Sequence, residues 1–397
     1  MNVVTDIAPQ KHAAFAQRSF LSNARLVLED RIITGGLEIE GGVIAGIDPA
    51  PNEMQAVAID CESDFLLPGL IDLHTDNVEH YFFPRPGVQW SASLMAVLAH
   101  DAQMLAAGIT TVFDSLSLGE YDGTGRRSRL LKQAIDAITQ AVDAGLMRAD
   151  HYFHFRCELS DAALADIVVP YLDSPLLKLL SVMDHTPGQR QWWNLELFRE
   201  YRRTKNGMAW TDQEFEEYMV GRRQAQAEFV PKYRKMIHEA GISRQIPIAS
   251  HDDTTIADVE QSHAHGISIS EFPTTLDAAQ YAHDLGMKIV MGAPNVVLGR
   301  SHSGNVSAAT LAEQGLLDIL TSDYVPSSLL HAPFILANNG MALPDAVAIV
   351  TSKPADALNL SDRGRLSPGL RADLVRVRLV DGMPIVRGVW VAGRPYL

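Results

Sequence analysis

The sequence predicts an α/β fold, a distorted (β/α)8 barrel of the TIM type with a small β-sandwich domain formed by both chain ends. Short apolar runs alternate with helical stretches eight times in the middle of the chain, which is the pattern of a parallel α/β barrel. Both ends instead carry short strands and tight turns. A length of 397 residues suits one barrel with one small accessory domain.

The small β domain is predicted from strands and glycine turns at the two ends. Residues 1–19 are polar and are predicted to be an N-terminal tail, with no apolar signal segment. Apolar runs at 37–39 and 43–47 follow glycine pairs, which favour tight turns. The same pattern returns at 372–377. The predicted domain consists of residues 20–67 and 365–397.

The predicted barrel covers residues 68–364, and ionisable residues stand at seven of its eight strand ends. The ends are His74, Asp114, Glu158, His185, His251, Glu271, Gly292 and Asp323. Because loops after the strand C-termini build the active site of such a barrel, we expect the chemistry on one rim. Residues near 192–240 are polar and aromatic with helical spacing, and we predict an inserted helical segment there.

A metal site is predicted on this rim. His74 and Asp76 are two residues apart at a strand end, so both can face one side and hold an ion. Such a pair alone is more often a surface feature, and each further residue could be a structural hydrogen-bonding group. The convergence of several strand ends favours two divalent ions, zinc or manganese, with iron as an alternative. The candidate ligands are His74, Asp76, Glu158, His185, His251 and Asp323.

The predicted catalytic residue is Asp323. Metal-assisted hydrolysis needs a bound water of lowered pKa and a carboxylate that takes and returns a proton. Asp323 ends the last strand and could also bind metal. Lys178 is a rival bridging ligand, but it lies near the start of its strand, so Glu158 is preferred. His263 and His265 precede their strand, which favours a structural or surface role.

Substrate contacts are predicted in loops that follow the strands. The stretch 292–305 combines small residues, hydroxyls, an arginine and a histidine, which suits an anionic oxygen cluster such as phosphate. A glycine-rich turn is the alternative. Two further arginines occur in turns beside the metal candidates. The predicted substrate-binding residues are Arg85, Arg190, Arg300, Ser301 and His302.

Charge and cysteine content limit the function classes. The formal net charge of −15 argues against a nucleic-acid partner. No apolar run is long enough to span a membrane. Cys61 and Cys157 lie far apart in sequence, which favours a reduced, cytoplasmic protein. We therefore expect a small-molecule substrate, and we leave a homo-oligomer open.

Several segments resemble the signatures of one family, the phosphonate-metabolism branch of the amidohydrolase superfamily. They are residues 68–77, 84–88, 183–190, 250–253, 271–275 and 301–305. The resemblance implies hydrolysis of α-D-ribose 1-methylphosphonate 5-triphosphate between its α and β phosphates, with release of pyrophosphate. His74-x-Asp76 replaces the superfamily's usual His-x-His, as in that branch, which disfavours amide hydrolysis and deamination.

Two alternatives stay open from the sequence. The first is a cyclic-amide hydrolase or deaminase that uses the same barrel and metals. The second is a non-catalytic barrel that acts inside a phosphonate-processing complex. The set of metal-ligand candidates argues against the second alternative.

Overall fold

The computed structural model describes residues 18–48, 57–120, 126–207, 209–301 and 304–397. They form two eight-stranded sheets. One sheet is a nearly closed parallel barrel, and the other is a mainly antiparallel sheet built from both chain ends. The predicted fold class is therefore confirmed.

The mainly antiparallel sheet joins the two ends of the chain. Its strands are β1 Ser19–Val27, β2 Ile32–Glu40, β3 Val43–Asp48, β4 Val57–Asp60, β5 Phe65–Pro68, β14 Leu374–Val380, β15 Met383–Val391 and β16 Arg394–Pro395. Their order in the sheet is β16-β15-β14-β5-β1-β2-β3, and β4 also pairs with β1. The two ends meet where β5 pairs with β14, with Leu66 opposite Arg376. The division into domains at residues 67/68 and 364/365 stays a prediction.

The barrel sheet runs in chain order, and all its paired neighbours are parallel. Its strands are β6 Leu70–Thr75, β7 Ile109–Leu118, β8 Asp150–Glu158, β9 Leu177–Met183, β10 Ile248–His251, β11 Ile269–Glu271, β12 Lys288–Gly292 and β13 Ile319–Thr321. The junction between β5 and β6 needs a glycine, because a Cβ atom at Gly69 would overlap the side chain of Thr110.

Helices connect the barrel strands. They are α1 Val78–Phe82, α2 Ser93–Ala106, α3 Arg126–Asp143, α4 Leu164–Val168, α5 Leu195–Asn206, α6 Asp212–Arg244, α7 Ile256–Ala264, α8 Leu276–Asp284, α9 Ala293–Leu298, α10 Ala308–Glu313, α11 Ser328–Asn338, α12 Leu343–Ala348 and α13 Ser352–Ala357. Thr211 and Glu214 form a capping box that fixes the start of α6. A cluster of aromatic rings, including Phe198 and Tyr218, packs α5 against α6.

The inside of the barrel contains a cluster of buried apolar side chains, to which every barrel strand contributes. The cluster includes Ile71, Phe113, Tyr152, Leu179, Ala249, Ile269, Val290 and Ile319. Ala355 and Leu358 also belong to this cluster. Because the interior is packed at this level, any substrate must bind beyond one end of the barrel.

The barrel closes between β6 and β13, at the ends of these strands. The Asp76 amide donates to the Asp323 carbonyl (3.0 Å), and the Asp323 amide donates to the His74 carbonyl (3.0 Å). Below them, the buried Asp72 carboxylate accepts hydrogen bonds from the Thr321 hydroxyl (2.6 Å) and from the Ser322 backbone amide (2.9 Å). The closure therefore holds three predicted site residues beside one another.

Candidate active site

A cavity of about 320 Å³ opens at the carboxyl ends of the barrel strands. Six residues singled out from the sequence line it, which are His74, Asp76, His185, His251, Ser301 and Asp323. They come from the ends of four strands and from one loop. The structure thus brings most of the predicted ligands together on the predicted rim.

His74 is buried and held by a carboxylate that the sequence reasoning left without a role. Its Nδ1 lies 2.5 Å from Oε1 of Glu271. Burial lowers the pKa of His74 well below its usual value, and the nearby Arg156 charge adds to this effect. His74 is therefore neutral, the form in which an imidazole binds a metal. A carboxylate on one ring nitrogen is a common way to orient the other nitrogen toward an ion.

Glu271 also lies close to His251. Its Oε2 lies 3.7 Å from Nε2 of His251 and has no hydrogen-bond partner among the described residues. A buried carboxylate oxygen without a partner is costly unless a cation or a proton satisfies it. Glu271 stands at a predicted strand end, so its position could be found from sequence. Its contact with His74 could not, because 197 positions separate the two.

Glu158 lies behind His185 rather than in the cavity wall. Its Oε2 is 2.6 Å from Nδ1 of His185, and its Oε1 accepts the His185 backbone amide at 3.2 Å. The Ser160 hydroxyl also donates to Oε1. Although burial opposes it, the charge and hydrogen bond of His185 lower the pKa of Glu158. Both oxygens are thus used to orient His185, and the structure does not bring Glu158 to a bridging position.

His251 and Asp252 are neighbours in sequence that both line the cavity. Nδ1 of His251 lies 2.8 Å from Oδ2 of Asp252, and this oxygen is 4.0 Å from Nε2 of His185. Burial opposes ionisation of Asp252, but its electrostatic interaction and hydrogen bond with His251 lower its pKa. His185, His251 and Asp252 offer ligand atoms within 4.8 Å of one another. The sequence analysis did not name Asp252 as a candidate ligand.

Asp323 faces Asp76 across the closure of the barrel. Burial and the Asp76 carboxylate raise the pKa of Asp323 to about 7, so this carboxyl group can gain and lose a proton near neutral pH. The backbone φ is 56° at Asp323, two residues after the end of β13, and 57° at Asp252, directly after β10. Aspartate tolerates this left-handed conformation better than most residues, and such strained turns often occur at functional sites.

Comparison with known proteins identifies the family. Residues 200–396 match the Amidohydrolase family. Over 94% of this chain and 99% of the relative, the sequence is 43% identical to alpha-D-ribose 1-methylphosphonate 5-triphosphate diphosphatase of Escherichia coli strain K12. The chain belongs to the amidohydrolase family. It is a hydrolase in the branch of that relative.

Solved structures show that this amidohydrolase shares its fold with more distant proteins. N-acetylglucosamine-6-phosphate deacetylase from Pasteurella multocida superposes with a TM-score of 0.62 at 12% identity, over 96% of this chain and 99% of that one. Dihydropyrimidinase from Brevibacillus agri gives a TM-score of 0.59 at 13% identity, over 96% and 95%. In the part of the amidohydrolase that the structure describes, every helix is too short or too polar to cross a bilayer.

The predicted substrate arginines do not line the cavity of this amidohydrolase. Arg85 and Arg300 are exposed and lie outside the cavity wall. Arg190 is buried, forms an ion pair with Asp253 and donates to the His251 carbonyl at 3.1 Å. It therefore fixes the loop after β10 and does not line the cavity. His302 lies outside the described residues.

A second group of histidines and a carboxylate is buried away from the cavity. Asp114 accepts hydrogen bonds at 2.8 Å from Nε2 of His100 and from Nδ1 of His151. All three side chains are fully buried. β7 continues to Leu118, so Asp114 lies within the strand and not at the end where the sequence reasoning put it.

Proposed function

We propose that this amidohydrolase hydrolyses the phosphoanhydride of α-D-ribose 1-methylphosphonate 5-triphosphate between the α and β phosphates and releases pyrophosphate. The observation that carries the proposal is 43% identity over nearly the full length to an enzyme named for that substrate. The His74-x-Asp76 pair at the end of β6 supports it, since the resemblance to the phosphonate branch includes this pair.

We infer that the rim holds two divalent ions, zinc or manganese, with iron as an alternative. The donors form two groups, His74 with Asp76 and Asp323, and His185 with His251 and Asp252. The neutral state of His74 and the Glu271 oxygen that has no partner in the described part of the chain support this fit. When bound, such ions lower the pKa of a bound water and polarise phosphoryl oxygens.

The chain's own residues orient the ligands and move the proton. Glu271 and Glu158 hold His74 and His185 through their Nδ1 atoms, which leaves each Nε2 for an ion. Asp323 accepts a proton from the attacking water and returns it during product release. A pKa of about 7 suits a group that must do both at neutral pH.

The experiment measures pyrophosphate release from α-D-ribose 1-methylphosphonate 5-triphosphate by protein reconstituted with zinc or manganese. Release by the wild type, with none by an Asp323→Asn variant, supports the proposal. The analogue with phosphate at the ribose 1-position shows which substituent is preferred. Hydrolysis of a neutral cyclic amide, with no reaction of either triphosphate, would replace the proposal by the cyclic-amide alternative.

We also propose that the enzyme acts in the cytoplasm on a small phosphorylated ribose phosphonate. Both cysteines, Cys61 and Cys157, are buried free thiols, and burial raises the pKa of Cys61 to about 11. Such thiols are inert, which is consistent with a reducing compartment.

A further inference from the structure

The cavity wall is acidic, and it contains one arginine. Asp76, Asp252 and Asp323 line it. Among the described residues that line the cavity, Arg156 is the only lysine or arginine. A triphosphate must approach these carboxylates, so a protein cation within the wall changes the electrostatics of binding directly.

Arg156 reaches the cavity from inside the barrel. It lies on β8 between His154 and Glu158 at spacings of two, so the three side chains share one face of the strand. His154 is buried against Ser181 on the neighbouring strand, and Arg156 extends above it with 9% of its surface exposed. The guanidinium is thus built into the barrel rather than carried on a flexible surface loop.

The guanidinium is held by a neighbour that is itself a candidate ligand. Its Nη2 lies 3.2 Å from Nε2 of His251, and its Nε has no hydrogen-bond partner within the described part of the chain. A guanidinium carries five N–H donors. Arg156 therefore has donors to spare for an acceptor that enters the cavity.

The contact with His251 and metal binding at His251 exclude each other. Nδ1 of His251 lies 2.8 Å from Oδ2 of Asp252. An ionised carboxylate can only accept, so Nδ1 is the donor, and in the neutral ring Nε2 carries the only free lone pair. One lone pair cannot serve a guanidinium and an ion together. An ion on His251 must therefore release Arg156 toward the cavity.

We propose that Arg156 is the phosphate-contacting residue of this site, and that it turns from His251 to the substrate when metal is bound. The choice of a triphosphate as substrate rests on the proposed function. In that reaction the water oxygen bonds to the α-phosphorus and its proton passes to Asp323. The bond from this phosphorus to the bridging oxygen breaks, and the electron pair stays on the leaving pyrophosphate. The guanidinium donates to that pyrophosphate as its charge grows.

The test uses inorganic pyrophosphate as the probe and isothermal titration calorimetry as the measurement. Arg156→Met in its metal-loaded form should bind pyrophosphate about 10- to 100-fold more weakly than the wild type, because it loses charge-assisted hydrogen bonds. Arg156→Lys should recover part of the affinity, since lysine keeps the charge without the paired donors. Arg31→Met is the matched control, because Arg31 is exposed and pairs only with Asp30 in the described structure.

Metal content separates phosphate contact from support of the ligands. Elemental analysis of Arg156→Met should find at least as much bound metal as in the wild type, since a competing cation has gone. Without metal, the wild type and Arg156→Met should bind pyrophosphate equally, because Arg156 stays on His251. Unchanged pyrophosphate affinity in metal-loaded Arg156→Met, or loss of its metal, would overturn the inference.

The test of Arg156 can fail independently of the proposed function. A wild type that does not cleave the triphosphate, yet binds pyrophosphate through Arg156, would end the proposed function and keep the phosphate contact. Full turnover by a folded Arg156→Met variant would overturn the phosphate contact and keep the proposed function. Circular dichroism establishes that each variant is folded, and Arg156→Gln is the second uncharged variant if the methionine variant fails this check.

Discussion

Two groups of histidines and carboxylates in the same barrel differ in what surrounds them. The rim cluster is defined as His74, His185, His251 and Asp252, which line the cavity, together with Glu271, which holds His74. One carboxylate oxygen of Glu271 has no partner among the described residues. The closed cluster, defined as His100, Asp114 and His151, is fully buried, and one ring nitrogen of each histidine lies 2.8 Å from an Asp114 oxygen. Similar residue types thus make an open set of ligands in one place and an internally paired core in the other.

Strand alternation explains the difference. Phe113 and Tyr152 belong to the apolar cluster inside the barrel, whereas Val112 and Phe153 pack in the core on the helix side. Asp114 and His151 share the parity of that second pair, so they face the helices. The barrel wall therefore separates them from the cavity at the strand ends.

The largest expected effect is on catalysis at the rim. Asp323→Asn removes the proposed proton carrier, and kcat should fall by about 10²- to 10⁴-fold while most of the bound metal remains. Pyrophosphate release and elemental analysis measure the two quantities. Asp136→Asn, at an exposed helix position that pairs with Lys132, should be unaffected in both. Wild-type kcat in the Asp323→Asn variant would remove Asp323 from its role.

The closed cluster should matter for stability instead. Asp114→Asn leaves the buried His100 without its carboxylate partner and leaves His151 only Asp101, 3.5 Å away, so the free energy of unfolding should fall by about 3–5 kcal/mol. Urea denaturation measures this change, and the metal content per folded chain should stay constant. Asp136→Asn should cost less than about 1 kcal/mol. Loss of metal with unchanged stability would contradict the distinction between the two clusters.

The closed cluster should also make stability depend on pH. Burial opposes protonation, but the carboxylates of Asp114 and Asp101 raise the pKa of His151 to about 10. Its pKa is about 6.5 in an unfolded chain. The folded state binds this proton more tightly, so the stabilisation is complete below about pH 6.5 and is lost as the pH rises toward about 10. Melting temperatures across this range should fall less steeply for His151→Gln than for the wild type, and parallel profiles would refute the assignment.

The smallest effect is expected for Ser160, which contacts the carboxylate that holds His185. Arg222 on α6 donates to the Ser160 hydroxyl at 2.6 Å, and Ser160 donates to the Glu158 carboxylate that holds His185. Because Ser160 is one step further from the ligand than Glu158, Ser160→Ala should weaken metal affinity by about ten-fold or less. A metal-competition titration measures this. An effect as large as that of Glu158→Gln would mean that Ser160 acts on the ligand more directly.

The sequence predicted the barrel and its rim because apolar runs and strand-end polar residues follow the chain order of a parallel sheet. His74, His185, His251 and Asp323 were found in this way, and all four line the cavity. The face of the strand on which each side chain lies was harder to predict. β7 continues past Asp114, and it has buried residues on both of its faces.

The remaining contacts could not be read from the sequence, because they join distant strands. Glu271 meets His74 across the barrel, and Arg156 meets His251 rather than its near neighbour Glu158. The predicted arginines of the loops are exposed or, for Arg190, paired with Asp253. A loop arginine near a strand end has several partners within reach, and only the folded chain selects one.

The most direct test is the amount of divalent metal bound per chain in His185→Asn and in His100→Asn, compared with the wild type by elemental analysis after purification. If the rim cluster holds the metal, His185→Asn should bind less metal and His100→Asn should bind as much as the wild type. Loss of metal from His100→Asn, with full metal content in His185→Asn, would contradict the assignment of the metal centre to the rim.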